Sequence, residues 1–343
     1  VRLAVEDGIG VVTVDNPPVN AFSQAVRAEL QHIIRQALGD PAAKALVIHG
    51  AGRTFMAGSD IKEFDAPQKE PVLGDVLDEI EAGSKPVVAA IHGTALGGGF
   101  ETALACHYRV ADAKAKVGLP EVTLGIIPGA GGTQRLPRLI GIEAALSAAG
   151  TGKAMAAAEA LKLGAIDEIA SGDLMTAAKA AAQRLIGESR RRSGAQRFPG
   201  GVPDAEFFET QRSVMKKRNR GFPAPPAVVD AMEAATKGAF RDGLAYERKL
   251  NVELKASLQS KALRHLFFGE REVAHIPGIP KDTPLRPLDV VGVVGAGTMG
   301  SGMAMNAMKT GCEMVVHDLR KEAAEVMVTT DDGSSGLRGR VTE

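Results

Sequence analysis

A strand that runs into three consecutive glycines is the feature that most limits how this chain can fold. Residues 87–91 are apolar and rich in β-branched side chains, which predicts a buried strand, and Gly97, Gly98 and Gly99 then open a helical pattern. The first turn of a helix has unpaired backbone N–H groups and about half a positive charge. Because glycine lacks a Cβ, a ligand can approach those groups closely. The turn is therefore a candidate anion site.

Two carboxylates flank this glycine turn. Glu101 falls three residues after Gly98, about one helical turn in, so its carboxylate can face whatever the glycines hold. Glu121 follows Pro120 in an apolar setting, where the pKa of a carboxyl group can be shifted. Two carboxylates beside free N–H donors suit a reaction that builds negative charge on a carbonyl oxygen while a proton or water moves nearby.

Each of these signals has an ordinary structural explanation when it is taken alone. Three glycines most often form a tight turn, and a single glutamate most often lies on a solvated face. The joint pattern is stronger, since a second glycine cluster at residues 128–132 leads towards another amphipathic run beside Glu121. We therefore interpret residues 85–132 as the centre of the chemistry.

Three motifs carry a resemblance to a known family. In chain order they are FMAGSDIKEF, ALGGGFE and LPEVTLGIIPGAGGTQRLPRLIG, and they resemble the enoyl-CoA hydratase/isomerase (crotonase) superfamily from about Val1 to about Leu185. The resemblance implies an α/β fold built as a spiral of ββα turns. The pattern along the chain agrees with that class, because strand patterns at 9–14 and 45–48 enclose a helix pattern after Ser23.

The resemblance also implies a role for each motif. The N–H groups of Ser59 and Gly98 hold the thioester oxygen of an acyl-CoA, Glu101 and Glu121 are the catalytic glutamates, and Gly129 helps to place the water. Such donors matter physically, because losing one in other enzymes raises the barrier by about 3–4 kcal/mol. From the sequence alone the roles of the two glutamates cannot be separated.

The presence of both glutamates favours hydration of trans-2-enoyl-CoA to 3-hydroxyacyl-CoA, since relatives that only shift a double bond can manage with one. The reaction implied needs no cofactor, because coenzyme A is part of the substrate. Candidate substrate contacts in the first motif are Ala57, Asp60 and Lys62. Lys62 could approach the CoA phosphates, although a lysine after a loop is more often simply solvated.

Composition argues against several other classes of function. Lys plus Arg and Asp plus Glu both number 41, and aromatic residues are 4%, which disfavours nucleic acid as a partner. Two cysteines suit a reducing compartment, and seven histidines show no metal-ligand spacing. No apolar run reaches the roughly 18 residues of a membrane span, and Val1 opens into a strand pattern without a signal peptide. We therefore expect a cytoplasmic protein without a metal.

The composition changes near Gly187, where we place the edge of a crotonase-like domain of residues 1–187. Residues 188–288 predict a helical and proline-rich linker, with helices at 227–237 and 244–272. The second of these is long and amphipathic, and it resembles the linker helix of multifunctional fatty-acid oxidation enzymes.

Residues 289–343 begin like a dinucleotide-binding domain. Gly295, Gly297 and Gly300 follow a strand pattern with GxGxxG spacing, and a second strand pattern ends at Asp318. There the glycines would bind a pyrophosphate and the acid the adenosine ribose of NAD. The stretch resembles the start of a 3-hydroxyacyl-CoA dehydrogenase domain. Because the sequence is polar and glycine-rich from about residue 329, we expect an incomplete Rossmann-type βαβ without dehydrogenase activity, NAD being a cofactor only of a complete domain.

Two alternatives stay open at this point. The first is that the main activity of the same site is isomerisation of 3-enoyl-CoA to 2-enoyl-CoA. The second is of another class, a nucleotide-binding or docking module in which GxGxxG is the working part. Crotonase relatives often form trimers, whereas fused forms are monomeric or pair with a thiolase, so a homo-oligomer and a thiolase subunit are both candidate partners. The acyl chain length is not readable from the residues.

Overall fold

The structure is a computed structural model that describes residues 1–188, 192–273, 276–280, 282–284, 286–320, 322 and 339–342. Its contacts divide the chain into two compact units, Val1–Glu272 and Val273–Glu343. The polar tail predicted from about residue 329 lies, as far as residue 338, outside the described residues.

The elements of the first unit alternate between strands and helices up to residue 184 and are helical after it. In chain order they are β1 (Arg2–Glu6), β2 (Ile9–Val14), α1 (Gln24–Gly39), β3 (Ala45–Gly50), α2 (Leu73–Ala82), β4 (Val87–Ile91), β5 (Thr94–Leu96), α3 (Gly98–Ala105), β6 (Tyr108–Ala111), β7 (Lys116–Gly118), α4 (Gly132–Ile140), α5 (Ile142–Thr151), β8 (Met155–Ala156), α6 (Ala157–Leu163), β9 (Glu168–Ile169), α7 (Leu174–Arg184), α8 (Ala205–Arg218), α9 (Ala224–Lys237), α10 (Phe240–Ala256) and α11 (Leu258–Val273).

The main sheet has the strand order β1-β2-β3-β4-β6-β9 and is parallel except for the β1–β2 pair. Alternate residues of its strands belong to two separate cores, as the period of two requires. Val12, Ile48 and Ala89 pack in the core that contains α1, α2 and α3, whereas Val47 and Val88 pack against α7. Burial on both faces explains why these strands are continuously apolar.

A smaller sheet, β5-β7-β8, stands beside the main one, and isolated bridges of Met56 with Ala95 and of Phe22 with Ser59 extend it. Each of β4 and β6 is followed by a short strand of this sheet, so that β4, β5 and α3 form one ββα turn. The predicted α/β spiral is confirmed. It brings the loop before Ser59 against the start of α3.

The helices between residue 187 and residue 272 pack on the preceding α/β part of the chain and belong to the same compact unit. The two compact units therefore differ from the predicted division at residues 187 and 288. Helix α9 contacts α4 and α5, and α10 contacts α4 and α9. The helix predicted at 244–272 is two helices, since Ser257 has extended backbone and its hydroxyl accepts the N–H of Ser260 to begin α11. The division into 1–187, 188–288 and 289–343 stays a prediction about sequence segments.

The second unit contains β10 (Val290–Val294), α12 (Thr298–Met308), β11 (Glu313–His317) and β12 (Gly339–Thr342), with the strands parallel in the order β10-β11-β12. The predicted βαβ unit is therefore present. The strand β12 was not expected from the polar tail. It pairs with β11 through its backbone, which requires no apolar side chain.

Candidate active site

The predicted catalytic and oxyanion residues border one cavity of about 680 Å³ in the first unit. Its lining includes Ala57, Ser59, Asp60, Gly98, Glu101, Glu121 and Gly129. These residues come from four separate segments, which the ββα turns bring together. A cavity of this size holds a substrate of drug-like dimensions.

Ser59 and Gly98 lie close together in the lining of this cavity. A Cβ built on Gly58 would lie 3.5 Å from the Gly98 nitrogen, and one built on Gly98 would lie 3.5 Å from the Ser59 hydroxyl. Gly98 is the first residue of α3, so its N–H has no partner within the helix. Within the described chain neither N–H donates a hydrogen bond. Both are free to bind an oxygen.

The turn before α3 depends on glycine for its backbone. Gly97 has φ +53° and ψ −127°, a conformation that residues with a side chain rarely adopt. A Cβ on Gly97 would also come within 3.0 Å of Glu121 Oε1. Glycine at this position therefore brings the Glu121 carboxylate against the first turn of α3.

Glu101 lies one turn into α3 and is 3% exposed. Its Oε1 accepts the N–H groups of Ala130 and Gly132, each at 2.8 Å. Burial raises the pKa of Glu101, and these two N–H donors together with the nearby Arg135 guanidinium oppose the rise. The hydrogen bonds and the positive charge therefore offset part of the pKa rise that burial causes in Glu101.

Glu121 begins the 3-10 helix Glu121–Leu124, which the left-handed Gly125 ends. Its Oε2 is buried and makes no hydrogen bond within the described chain. Burial raises the pKa of Glu121 well above its usual value, and the charges of Glu101 and Glu247 raise it further. Glu121 is thus the more readily protonated of the two cavity carboxyl groups.

The loop from Pro128 to Thr133 contributes Gly129 and Ala130 to the cavity lining. Gly129 leaves no room for a side chain, because a Cβ there would lie 2.7 Å from Asn251 Cγ. Arg135, which is fully buried, donates to Ala130 O at 2.8 Å and pairs with Glu81 at 3.0 Å. The loop is therefore held from α4 as well as from Glu101.

Helix α10 adds a third buried carboxyl group that the sequence analysis missed. Glu247 Oε1 accepts the Gly131 N–H at 2.6 Å, and Oε2 accepts the N–H and the hydroxyl of Thr133 at 2.7 and 2.5 Å. Burial and the charge of Glu101 raise the pKa of Glu247 to about 8. In the sequence it is one glutamate of a polar helical run, which is typical of a solvated position.

The mouth of the cavity is bordered by cationic and aromatic side chains that sequence reasoning also missed. They belong mainly to α10 and α11 and comprise Arg248, Lys255, Phe267 and Arg271, together with Arg27 and Lys69 from earlier in the chain. The Arg271 guanidinium lies 3.9 Å from the centre of the Phe267 ring. A positive rim with a half-buried ring suits an anionic substrate that carries a planar group.

Lys62 is not brought to the cavity, unlike the other predicted substrate contacts. It is exposed in the 3-10 helix Ile61–Glu63 and does not line the cavity. Asp60 borders the cavity, but its Oδ1 accepts the Lys62 N–H at 3.1 Å and so caps that helix.

In the second unit the glycine loop has the predicted shape. Gly295 has φ +100°, and a Cβ on Gly300 would lie 1.8 Å from Gly295 O, so α12 can approach the loop only because residue 300 is glycine. Nothing lies within 4 Å of a Cβ on Gly297. Asp318 Oδ2 accepts the Ala296 N–H at 2.7 Å, and backbone N–H groups of Arg320 and Ala296 lower the pKa of Asp318.

The described part of the chain includes no group of three or more His, Cys, Asp or Glu side chains that could hold a metal ion. None of its helices combines the length and the apolarity that crossing a bilayer requires.

Two family models match the chain. The model described as enoyl-CoA hydratase/isomerase matches residues 4–195, and that described as 3-hydroxyacyl-CoA dehydrogenase, NAD binding domain, matches residues 290–334. Among solved structures, a carnitinyl-CoA hydratase from Mycobacterium avium has 28% sequence identity and a TM-score of 0.59, covering 78% of this chain and 95% of that one.

Curated relatives include two proteins named peroxisomal bifunctional enzyme. The protein from Danio rerio is 42% identical, and the match covers 94% of this chain and 45% of that protein. The protein from Homo sapiens is 40% identical, and the match covers 98% of this chain and 50% of that protein. The chain thus spans about half the length of these relatives. Their names contradict the expected cytoplasmic location, which was wrong because it rested on the absence of signals from a sequence that spans only part of its relatives. By the match over residues 4–195, the chain belongs to the enoyl-CoA hydratase/isomerase family.

Proposed function

We propose that this chain hydrates trans-2-enoyl-CoA thioesters to 3-hydroxyacyl-CoA in fatty-acid β-oxidation. The observation that carries the proposal is the convergence of Glu101 and Glu121 on the cavity wall that presents the unpaired N–H groups of Ser59 and Gly98. The names of the relatives support β-oxidation as the setting. The positive rim at Lys255 supports a substrate with phosphate groups.

The proposed reaction starts from a thioester whose carbonyl oxygen accepts the two N–H groups. One glutamate removes a proton from water as the water oxygen bonds to Cβ, and the π electrons move to the carbonyl oxygen to give an enolate. The N–H groups of Ser59 and Gly98 stabilise that negative charge. The enolate collapses as Cα takes a proton from the second glutamate. Water has then been added across the double bond, and both glutamates return to their starting forms after one proton exchange.

The environments of the two carboxyl groups support a division of these roles. Glu101 accepts two N–H groups, which favours its ionised form and so its role as the base towards water. Glu121 has a buried oxygen without a partner and a pKa raised well above the usual value, which favours the protonated form. We therefore assign proton delivery at Cα to Glu121.

Loss of the thioester-conjugated absorbance of crotonyl-CoA tests the proposal directly. We expect saturable hydration by the chain and a decrease of kcat on the order of 100-fold or more in Glu101→Gln and in Glu121→Gln. Glu143→Gln, an exposed glutamate of α5, is the matched control and should keep full activity. Full hydration by Glu121→Gln would refute the site assignment.

A second activity of the same cavity is the shift of a 3-enoyl-CoA double bond to the 2-position. The unpartnered Oε2 of Glu121 favours it, because the fraction of chains in which this carboxyl group is ionised can take a proton at Cα and return it at Cγ. A 3-enoyl-CoA substrate assayed with Glu101→Gln separates the two. Retained isomerisation with lost hydration would mean that Glu121 alone shifts the bond, whereas loss of both would contradict this second activity.

For the second unit we propose an NAD-binding start that is not the working part of the chain. Gly295, Gly297 and Gly300 would face the pyrophosphate and Asp318 the adenosine ribose, and bound NAD would supply a hydride acceptor. Saturable NAD binding that is lost in Gly297→Asp, together with a chain that does not hydrate crotonyl-CoA, would favour the docking alternative instead.

The compartment that we propose is the peroxisome, on the names of the relatives. Fractionation of the source cells with an antibody to this chain tests it, and recovery only in the cytosol would contradict it.

A further inference from the structure

Helix α10 lies outside the segment that matches the hydratase/isomerase family model, yet one of its faces contacts the catalytic loop. Glu247 and Asn251 are one helical turn apart on that face. Asn251 Nδ2 donates to Ile127 O at 2.5 Å, and Glu247 accepts from Gly131 and Thr133. Helix α10 therefore contacts both ends of the loop that faces Glu101.

Successive N–H groups of this loop alternate between two carboxyl groups. Ala130 and Gly132 donate to Glu101, whereas Gly131 and Thr133 donate to Glu247. Because peptide groups are planar and adjacent ones share a Cα, the orientations of these four N–H groups depend on one another. The orientation that satisfies Glu247 is therefore the one that directs the other two N–H groups at Glu101.

We infer that Glu247 is a positioning residue for the hydration reaction, acting through the 130–133 loop to fix the Glu101 carboxylate in the cavity. The inference rests on the proposed function. Glu247 does not border the cavity and so does not touch substrate. It is completely buried and spans from α10 to a loop 116 residues earlier in the chain. The helical segment after residue 195 is thereby part of the hydratase site.

The charged and titratable groups around Glu101 determine what a change at Glu247 does. Arg135 of α4, Glu121 of the 3-10 helix and Glu247 of α10 face it. The N–H groups of Ala130 and Gly132 lower the pKa of Glu101. If the loop turns away, Glu101 loses these donors and its pKa rises, so the low-pH limb of kcat/KM moves to higher pH.

The decisive variant is Glu247→Gln in the whole chain. An amide offers one acceptor oxygen, so Gly131 or Thr133 loses its acceptor in either amide orientation. We expect kcat for crotonyl-CoA to fall about 100-fold, as for a misplacement of about 1 Å, with KM within about twofold because no substrate contact is lost. The low-pH limb should move up, and hydrogen exchange in residues 128–134 should quicken.

Two matched controls separate positioning from general stability. Glu253→Gln changes an exposed glutamate of the same helix, and Leu254→Ala removes apolar packing from it. Leu254→Ala should lower Tm without moving the low-pH limb, and Glu253→Gln should change neither. The inference would be overturned by a Glu247→Gln variant with a lower Tm but with wild-type kcat, an unmoved low-pH limb of kcat/KM and an unchanged rate of hydrogen exchange in residues 128–134.

A milder variant decides the matter if Glu247→Gln does not fold. Thr133→Val removes the hydroxyl that donates to Glu247 and accepts from Gln134 Nε2, but it keeps both backbone N–H donors to Glu247. We expect the low-pH limb of kcat/KM to shift in the same direction by a smaller amount, whereas an unmoved limb overturns the inference. A wild-type chain that does not hydrate crotonyl-CoA would contradict the proposed function. The hydrogen-exchange comparison would then still test the loop by itself, so the two failures are distinguishable.

Discussion

The guanidinium of Arg264 in α11 lies 2.6 Å from the carboxylate of Asp65, although 199 residues separate them in the chain. Arg264 is 3% exposed, and it also donates to the Ser260 hydroxyl and to Lys255 O. The segment just after Asp65 lines the cavity. This ion pair therefore joins the last helix of the first unit to the cavity rim.

Replacing Arg264 by Ala should weaken both folding and substrate binding. The change leaves buried acceptors without donors, which costs about 1–3 kcal/mol of unfolding free energy, and it releases the rim, so KM for crotonyl-CoA should rise several-fold while kcat changes little. Urea unfolding and steady-state kinetics measure the two effects. Asp65→Asn weakens the same ion pair and should raise KM as well, but it should lose less stability, since Asp65 is 73% exposed and such a partner contributes about 1 kcal/mol or less. An unchanged KM in Arg264→Ala would contradict the rim assignment.

Gly97→Ala should lower kcat by on the order of 100-fold. Its methyl group would lie 3.0 Å from Glu121 Oε1 and would occupy a backbone conformation with φ +53°. Both effects displace the carboxyl group from the oxyanion donors. Gly52→Ala is the matched control, because Gly52 has φ +74° but open space around its Cβ. It should lose stability by about 1–2 kcal/mol and keep its kcat. Equal kcat values for the two variants would show that the methyl contact is irrelevant.

The pH profile of kcat/KM should be bell-shaped. The proposed division of roles requires ionised Glu101 and protonated Glu121. Burial raises both pKa values, that of Glu121 further. Activity should therefore fall as the pH drops through the raised pKa of Glu101, and again as it rises through the higher pKa of Glu121. Initial rates at low crotonyl-CoA concentration between pH 5 and 10 measure both limbs. A single limb near the ordinary pKa of a glutamate would contradict this assignment.

Stability should decline between weakly acidic and weakly alkaline pH. The folded-state pKa of Glu247 is raised from 4.5 to about 8, so the unfolded chain releases this proton first. The contribution of protonated Glu247 to the free energy of unfolding is complete below its pKa in the unfolded chain. It is lost as the pH rises to about 8, by up to about 1.4 kcal/mol per pH unit. Urea unfolding from pH 5 to 9 should show a smaller slope for Glu247→Gln than for wild type or Glu253→Gln. Equal slopes would mean that Glu247 titrates normally in the folded chain.

The parts of the site that sequence analysis predicted are those that local chemistry marks. Gly97 and Gly98 stand between a buried strand and a helix, where only glycine permits the turn and the approach of a ligand. Glu101 follows within one turn. These features depend on neighbours in the chain, so the residues themselves indicate the geometry.

Glu247 and Arg264 could not be predicted in that way, because their partners are backbone groups and an exposed aspartate far along the chain. Every residue except proline has the same backbone N–H group. The sequence therefore does not show which N–H groups will need a buried side chain as their acceptor. For the same reason the edge near Gly187 did not reveal that α9 and α10 pack on α4. Tertiary contacts alone decide which polar residues of a helix are buried.

Hydration should be independent of NAD and of the glycine loop in the second unit. Every residue that borders the cavity lies between Ser23 and Arg271, within the first unit. Gly300→Ala places a methyl group 1.8 Å from Gly295 O and so disrupts the loop. We nevertheless expect kcat and KM for crotonyl-CoA to stay within about twofold, because the glycine loop does not border the cavity and changes at sites without shared partners act independently. Titration of NAD followed by fluorescence or calorimetry should show weak binding or none in wild type, and none in Gly300→Ala. A hydration rate that responds to NAD in the wild-type chain and not in the variant would contradict this independence and would make the second unit a regulator of the first.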